Sequence, residues 1–223
     1  PTRRSSDLQC MMEHPDIAAV FVGHELMVGR KVVAPRFAAK GPEQCRLDVD
    51  RFAMPAHGPT PMNRTAMVSD IQYEPTLTVA EDVDYVFQVG ERYPMMVLGA
   101  CLYTYRVHLS STSRTDMDRT ERMLEKVIER ACRRRGLDPQ AYRRSPAGRS
   151  SSFAYRYREG VVPHFMESVL DLRRVGRLAE AASTAAFCLR IHPLDPYYYK
   201  PLAYLMAPFG MIERHRRRRA QHS

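Results

Sequence analysis

Residues 81–94 have the sequence EDVDYVFQVGERYP. Acidic residues stand at its start, where they complement the positive end of a helix dipole. Its apolar and small residues recur on one helical stripe: Val83, Val86, Phe87 and Gly90. Pro94 stops a helix just before it. The segment therefore predicts a helix over residues 81–93 with one face buried in a core.

Extended segments lie on both sides of this helix. Residues 101–108 alternate between two faces, with Tyr103 and Tyr105 on one face and Arg106 and His108 on the other. Upstream, residues 17–22 form a short apolar run, which is typical of a buried strand. Apolar residues on either side of the Gly29-Arg30 pair predict a hairpin directly after that strand.

The rest of the chain is predicted to be irregular up to residue 61 and helical from residue 116. Residues 35–61 are rich in proline, which breaks regular elements. After Thr115 as N-cap, a helix is predicted to about residue 135 on the buried stripe Met117, Thr120, Leu124, Val127, Ile128 and Ala131. Beyond a polar loop at 143–158, a helix pair joined at Gly176 precedes a third helix at 196–207.

Composition indicates a globular chain with a core of its own. Of its 223 residues, 44% are hydrophobic and 26% charged, which excludes disordered and fibrous classes. Five scattered cysteines without a C-x-x-C pair predict no disulfide framework and no structural zinc, and they favour a reducing compartment. The apolar run at 202–212 is too short to span a bilayer, and no signal peptide is expected.

Positive charge is concentrated at one end. The formal net charge is +9, and five arginines at 214–219 supply much of it, which leaves +4 for the remainder. A balance of that size does not call for a polyanionic partner. The arginine tail, residues 214–219, is interpreted either as a site for anionic lipid or nucleic acid or as a solvated end that binds neither.

Three blocks resemble the family 2 glycosyltransferases of the GT-A type. Residues 13–21, EHPDIAAVF, resemble the segment that follows the metal-binding D-x-D loop of that family. Residues 80–108 carry a Glu-Asp-x-Asp helix start, a Glu-Arg-x-Pro helix end and a Tyr-Arg-x-His strand in the family's order. Residues 61–65, PMNRT, resemble the segment before the acceptor loop. Together the blocks cover residues 11–115, roughly half of the chain.

The resemblance implies an α/β fold, the C-terminal part of a GT-A mixed sheet followed by an α-helical appendage. Residues 9–115 would be the acceptor-side half, and 116–223 a helical region with a basic tail. The family's nucleotide-binding units and its D-x-D do not appear before the first block. Asp48-Val49-Asp50 lies after that block and is interpreted as a coincidence. Residues 1–8 resemble a translated sequencing adapter, with a natural Arg/Ser-rich start as the alternative, and are left out of the fold prediction.

The activity implied is inverting transfer of a sugar from a nucleotide-sugar donor to a glycan or lipid-linked acceptor. Bacterial members of the family build surface polysaccharide at the inner face of the plasma membrane, so a cytoplasmic, membrane-peripheral location is expected. The full-length parent would use a divalent metal, Mg or Mn. The present chain is expected to be inactive alone, because the donor and metal sites would lie in the other half.

Resemblance assigns Asp82 as the general base. Inverting transfer needs a group that takes the proton of the acceptor hydroxyl, and a carboxylate within hydrogen-bond reach is suited to this. Glu81 would orient Asp82 or the acceptor. The alternative is structural, because acidic residues in a first helical turn favour the helix dipole without any catalytic role.

A second group of residues is assigned to the substrate and its diphosphate: Arg106, His108, Arg64 and Asp84. The departing diphosphate needs cationic side chains and a metal. Arg106 and His108 share a strand face with Cα atoms roughly 7 Å apart, and His108 is also a candidate metal ligand. The alternative is a structural pair, an exposed Arg and a His satisfied within the fold.

Two other functions compete with the enzyme. A non-catalytic, membrane-peripheral helical module would place residues 197–199, three tyrosines, and the arginine tail on anionic lipid, with about 1 kcal/mol for each arginine at the surface. A nucleic-acid binder has only the charge in its favour, since no recognition motif is present. No nucleic-acid partner is therefore expected.

Overall fold

The computed structural model describes residues 3–28, 30–107, 117–144, 162–212 and 214. It shows a mixed α/β architecture with one four-stranded sheet. The elements follow in this order: α1 (Arg3–Glu13), β1 (Ala19–Val28), β2 (Lys31–Arg36), α2 (Pro42–Asp50), β3 (Met62–Asn63), α3 (Thr65–Val68), α4 (Glu81–Arg92), β4 (Met95–Val107), α5 (Met117–Arg134), α6 (Pro139–Arg144), α7 (Val162–Arg174), α8 (Leu178–Ile191) and, after a 3-10 turn at Pro196–Tyr199, α9 (Lys200–Met206).

β1 is the centre of the sheet. β4 runs parallel to it along its whole length, from the Ala19–Met95 pair to the end of both strands. β2 pairs antiparallel with the second half of β1, and β3 pairs antiparallel with its first two residues. Because β4 occupies one edge throughout, β2 and β3 must share the other edge. The predicted hairpin is confirmed, with Val28 opposite Lys31.

Helices cover both faces of this sheet. The main core lies between one face and α2, α4 and α5, and it includes Phe21 and Phe87. The predicted stripe of α5 is confirmed for Thr120, Leu124, Val127 and Ala131, which are buried, while Ile128 is partly buried against the same core. α1 covers the other face, where its Cys10 and Met11 pack with Val20 of β1.

The C-terminal helices continue the fold at the far end of β1 and β2. Leu26 and Ala34 share a core with Phe165 of α7 and Cys188 of α8. The predicted helix pair is confirmed, and Gly176 joins the helices with a φ of +75°. None of the described helices is both long and apolar enough to cross a bilayer.

A buried ion pair ties α7 to β2. The Asp171 carboxylate is 2% exposed and lies 3.3 Å from Nε of Arg36. It also accepts a hydrogen bond from the backbone N–H of Phe37. The helices after residue 161 are therefore docked on the sheet rather than appended to it.

The prediction of irregular structure over residues 35–61 was wrong for residues 42–50, which form α2. Pro42 occupies the first turn, where proline is tolerated, and Cys45 and Val49 lie one turn apart on its buried side. α1 begins at Arg3, so part of the segment left out of the prediction forms a helix. α5 shares its core with α4, so a boundary at 115/116 does not separate two cores. Thr115, the predicted N-cap, lies outside the described residues.

Candidate functional site

Asp82 stands in the first turn of α4, two residues after Ala80, whose backbone is strained. Ala80, the N-cap, adopts a φ of +63°, a left-handed conformation that costs a non-glycine residue about 1 kcal/mol. Oδ1 of Asp82 accepts a hydrogen bond of 2.9 Å from the backbone N–H of Val83. Strain of this kind is often found at functional sites, but Ala34 and Phe52 adopt similar φ values of +55° and +53°, so it does not single out the start of α4.

A glycine gives the chain room beside the carboxylate. A Cβ atom added to Gly58 would lie 2.1 Å from Oδ2 of Asp82, so the loop between α2 and β3 passes directly against that oxygen. Burial, and next the charge of Glu81, raises the pKa of the Asp82 carboxyl. A carboxylate with a raised pKa holds a proton more strongly, which makes it a better general base than an ordinary aspartate.

An exposed aromatic ring lies on the same side of the molecule. Tyr73 stacks on Tyr85 with ring centroids 4.8 Å apart and is itself 57% exposed. Burial, and next the charges of Asp82 and Glu81, raises the pKa of the Tyr73 phenol. The open ring and the two carboxylates therefore lie within electrostatic range of one another.

Three histidines gather where the loop between α2 and β3 meets the sheet and α7, and we call them the histidine cluster: His24, His57 and His164. Ring centroids of His24 and His57 are 4.7 Å apart, and those of His24 and His164 are 5.4 Å apart. His57 also contacts the ring of Tyr105 at 4.6 Å, which joins the cluster to β4. These rings connect three segments that are far apart in the sequence.

Asp84, predicted to contact the substrate, lies in the core. It is fully buried, and its oxygens accept from Nη1 of Arg134 at 2.8 Å, Nε of Arg130 at 3.3 Å and the Gln88 amide at 3.1 Å. Residues two apart on a helix do not share a face, so Asp84 points away from the side that carries Asp82. The structure therefore does not bring these two carboxylates together.

Arg64 holds the chain rather than an open site. Its guanidinium donates to the backbone carbonyls of Ile17, Met11 and His14, at 3.1, 2.6 and 3.3 Å. These bonds join the start of α3 to the turn between α1 and β1. Its predicted contact with the acceptor or phosphate stays a prediction that would need this guanidinium to change partners.

Arg106 does not lie beside Asp82 either. The ring of Tyr105 contacts His57 in the loop between α2 and β3. Because neighbouring strand residues point to opposite faces of a sheet, Arg106 points to the face away from this loop. Arg106 is exposed opposite Met27 near the end of β4. His108, its predicted partner and candidate metal ligand, lies outside the described residues, so the diphosphate role of this pair stays a prediction.

The resemblance places the divalent metal of the parent outside the present chain, with His108 as a possible ligand from this half. Within 3–28, 30–107, 117–144 and 162–212, no group of three or more His, Cys, Asp or Glu is arranged to hold a metal ion. Asp48 is paired with Nζ of Lys40 at 2.7 Å and Asp50 with Nε of Arg46 at 2.9 Å. The D-x-D at 48–50 thus has a cation beside each carboxylate.

Comparison with known proteins does not place the chain in a family. No family model, curated protein or solved structure matches it.

Sequence reasoning missed Gly58, His24 and His57. Gly58 lies in the proline-rich segment without a motif of its own, and His24 and His57 are brought together by the sheet. The only available signal was the alternation that placed Tyr103 and Tyr105 on one strand face, which is the face that meets His57. That signal marks a shared face but does not say which loop covers it.

Proposed function

We propose that residues 9–115 form the acceptor-side half of a family 2, GT-A type glycosyltransferase, with Asp82 as the general base. The observation that carries the proposal is the Asp82 carboxylate, held with a raised pKa between the start of α4 and Gly58. The mixed sheet, with β4 parallel to β1 beside a hairpin, is compatible with that fold. A nucleotide-sugar-binding half is required to complete the enzyme.

Transfer would proceed by one displacement. The acceptor oxygen forms a bond to the anomeric carbon of the donor while the bond from that carbon to the diphosphate oxygen breaks. Asp82 takes the proton of the acceptor hydroxyl, and the nucleoside diphosphate leaves with the electron pair. The open face of Tyr73 would support the apolar side of an acceptor sugar, because binding sites combine aromatic surface with a few polar groups.

The Asp82→Asn variant tests the base directly. In a protein that joins the donor-binding half to this chain, we expect kcat to fall at least about 100-fold, because an amide cannot take up the proton. Initial rates of nucleoside diphosphate release, with a panel of nucleotide-sugars and glycan acceptors, measure it. Far-UV circular dichroism should show an unchanged fold, since the substitution removes a charge that burial disfavours.

Asp50→Asn is the matched control, because it removes a carboxylate from an exposed surface pair. It should keep wild-type kcat. Turnover retained in Asp82→Asn would remove Asp82 from the base role. Equal losses in both variants would point to a general effect of lost negative charge.

A membrane-peripheral role is the second candidate, and a specific surface favours it. Tyr199, Leu202 and Met206 recur at helical spacing and are 45%, 36% and 76% exposed. Leu194, just before them, is 95% exposed. This apolar stripe lies on the segment that leads to the arginine tail, an arrangement that suits a helix lying on an anionic bilayer.

The Leu202→Gln/Met206→Gln variant is expected to bind anionic vesicles roughly ten-fold more weakly than the wild type. It removes apolar side-chain area that is exposed in the protein and that lipid contact would bury. Co-sedimentation with phosphatidylglycerol-containing vesicles at low salt measures the affinity. Leu47→Gln, on α2, is the control, since Leu47 is 47% exposed outside this stripe. Absence of wild-type binding, or the same loss in the control, would reject the stripe as a lipid contact.

A further inference from the structure

We propose that the histidine cluster is an acid-sensitive latch that holds α7 and the loop between α2 and β3 on the sheet. Its members come from three separate segments: His24 from β1, His57 from the loop between α2 and β3, and His164 from α7. His24 is the central ring, 4.7 Å from His57 and 5.4 Å from His164. A change at these rings therefore acts on all three segments together.

Positive charge on the rings of the cluster would be energetically unfavourable. His24 is 6% exposed, and the buried Nε2 atoms of His24 and His57 have no hydrogen-bond partner in the part of the chain that the structure describes. In a neutral imidazole, the unpartnered Nε2 is either an acceptor nitrogen or a single N–H donor, and the ring carries no charge. A protonated imidazole would bury two donors and a full charge, which is far more costly without a partner.

In the described part of the chain, the groups that face His24 and His57 supply no free counter-charge, and the nearby Asp82 of α4 makes no hydrogen bond to their buried Nε2 atoms. β2 contributes Arg36, which is positive, and β4 contributes the rings of Tyr103 and Tyr105. α7 contributes Asp171, but its carboxylate is already paired with Arg36 and Arg174. Each added proton would therefore repel the other imidazoles and Arg36 across a buried contact.

The direction of the pH effect follows from the two ring environments. Burial, and next the neighbouring His57, His164 and Arg36, lowers the pKa of His24 to about 2, and burial lowers the pKa of His57 to about 4. An opened contact would return both rings to a pKa of about 6.5. The open state then binds more protons, so the closed state is favoured above pH 6.5 and is progressively lost as the pH falls below it.

The size of the effect follows from the same linkage. At pH 5.5 each opened imidazole is about ten times more often protonated than neutral, so two rings raise the opening constant roughly 100-fold over its value at pH 7.5. Because Gly58 follows His57 and touches Asp82, opening would also release the loop from that carboxylate. The latch itself does not depend on glycosyl transfer.

Hydrogen exchange on the whole chain tests the latch. After correction for intrinsic exchange rates, protection of residues 162–174 in α7 should fall roughly 100-fold between pH 7.5 and pH 5.5. Residues 81–92 in α4 should keep their protection. In His24→Leu/His57→Leu, which replaces both rings by neutral apolar groups, α7 should stay protected at both pH values.

Two further variants keep the test decisive. If the double variant does not fold, His57→Gln alone should reduce the pH effect on α7 to about ten-fold, since His24 is then the one remaining ring of the pair whose pKa is lowered. His14→Gln, which changes an exposed histidine outside the cluster, should respond like the wild type. Equal α7 protection at both pH values in the wild type would overturn the latch. So would a pH effect that survives the substitutions, or an equal loss in α4, which would indicate general unfolding.

Discussion

The Gly23→Ala variant is expected to be largely unfolded, with a loss of more than about 3 kcal/mol in the free energy of unfolding. A Cβ atom at Gly23 would lie 2.1 Å from the carbonyl oxygen of Arg36, 2.8 Å from Cα of Phe37 and 3.0 Å from the carbonyl oxygen of Ala100. All three atoms are backbone, so no side-chain rotation relieves the clash. Urea unfolding followed by far-UV circular dichroism, or recovery in the soluble fraction, measures the effect.

The position of Gly23 explains why relief is so difficult. The register of β1 with β4 shifts on both sides of this residue, and its register with β2 shifts directly after His24. The backbones of three strands therefore converge where only a hydrogen atom fits. Moving any of them would also disturb His24 and the ion pair of Arg36 with Asp171.

Gly210→Ala is the matched control. A Cβ atom there meets nothing within 4 Å, and the residue is helical. Alanine should therefore be neutral or stabilise by up to about 1 kcal/mol, because it has the higher helix propensity. If Gly23→Ala unfolds within about 1 kcal/mol of the wild type, the strands at this point are more deformable than their spacing indicates.

Elements with several agreeing local signals could be predicted from the sequence. α4 has acidic residues at its start, one apolar stripe and Pro94 at its end, and it was found within one residue of its end. α2 was missed because proline and glycine around it gave the stronger signal. Its two buried residues, Cys45 and Val49, are too few to show a period on their own.

The site was predictable only in its local part. Asp82 was predicted as the general base because the motif and the helix start coincide at one place in the chain, and that role stays a prediction. Gly58 and the histidine cluster depend on strand pairing and on the docking of α7, which bring together residues that are distant in sequence. Such contacts leave no local period, so neither composition nor spacing indicates them.

Asp84 shows how a motif can conceal a difference in burial. Asp82 and Asp84 are the same residue type within one motif, yet the helix places them on different faces. A signal was present in α5, where Arg130 and Arg134 lie one turn apart and both pair with Asp84. Both arginines are partly buried, and a charge removed from water is costly unless it is paired, so a carboxylate partner is expected nearby.

The Asp84→Ala variant is therefore expected to lose about 3 kcal/mol in the free energy of unfolding. Removing one partner of a buried ion pair costs 3–5 kcal/mol, because the remaining charges are left without compensation. The lower end applies here for a structural reason. Arg130 keeps Glu74 at 2.6 Å and Arg134 keeps Glu91 at 2.6 Å, so both guanidinium groups retain a carboxylate. Urea unfolding measured beside the wild type gives the value.

Asp70→Ala provides the control that separates burial from charge. Asp70 pairs with Arg92 at 2.6 Å, but the two side chains are 65% and 43% exposed, and exposed pairs contribute at most about 1 kcal/mol. A large loss in Asp84→Ala with a small loss in Asp70→Ala would establish Asp84 as a structural residue that fastens α5 to α4. If Asp84→Ala instead kept its stability and lost acceptor binding, the predicted substrate role would regain its support. The structure favours the first outcome, because the carboxylate that would have to meet a substrate is enclosed by arginines of the fold itself.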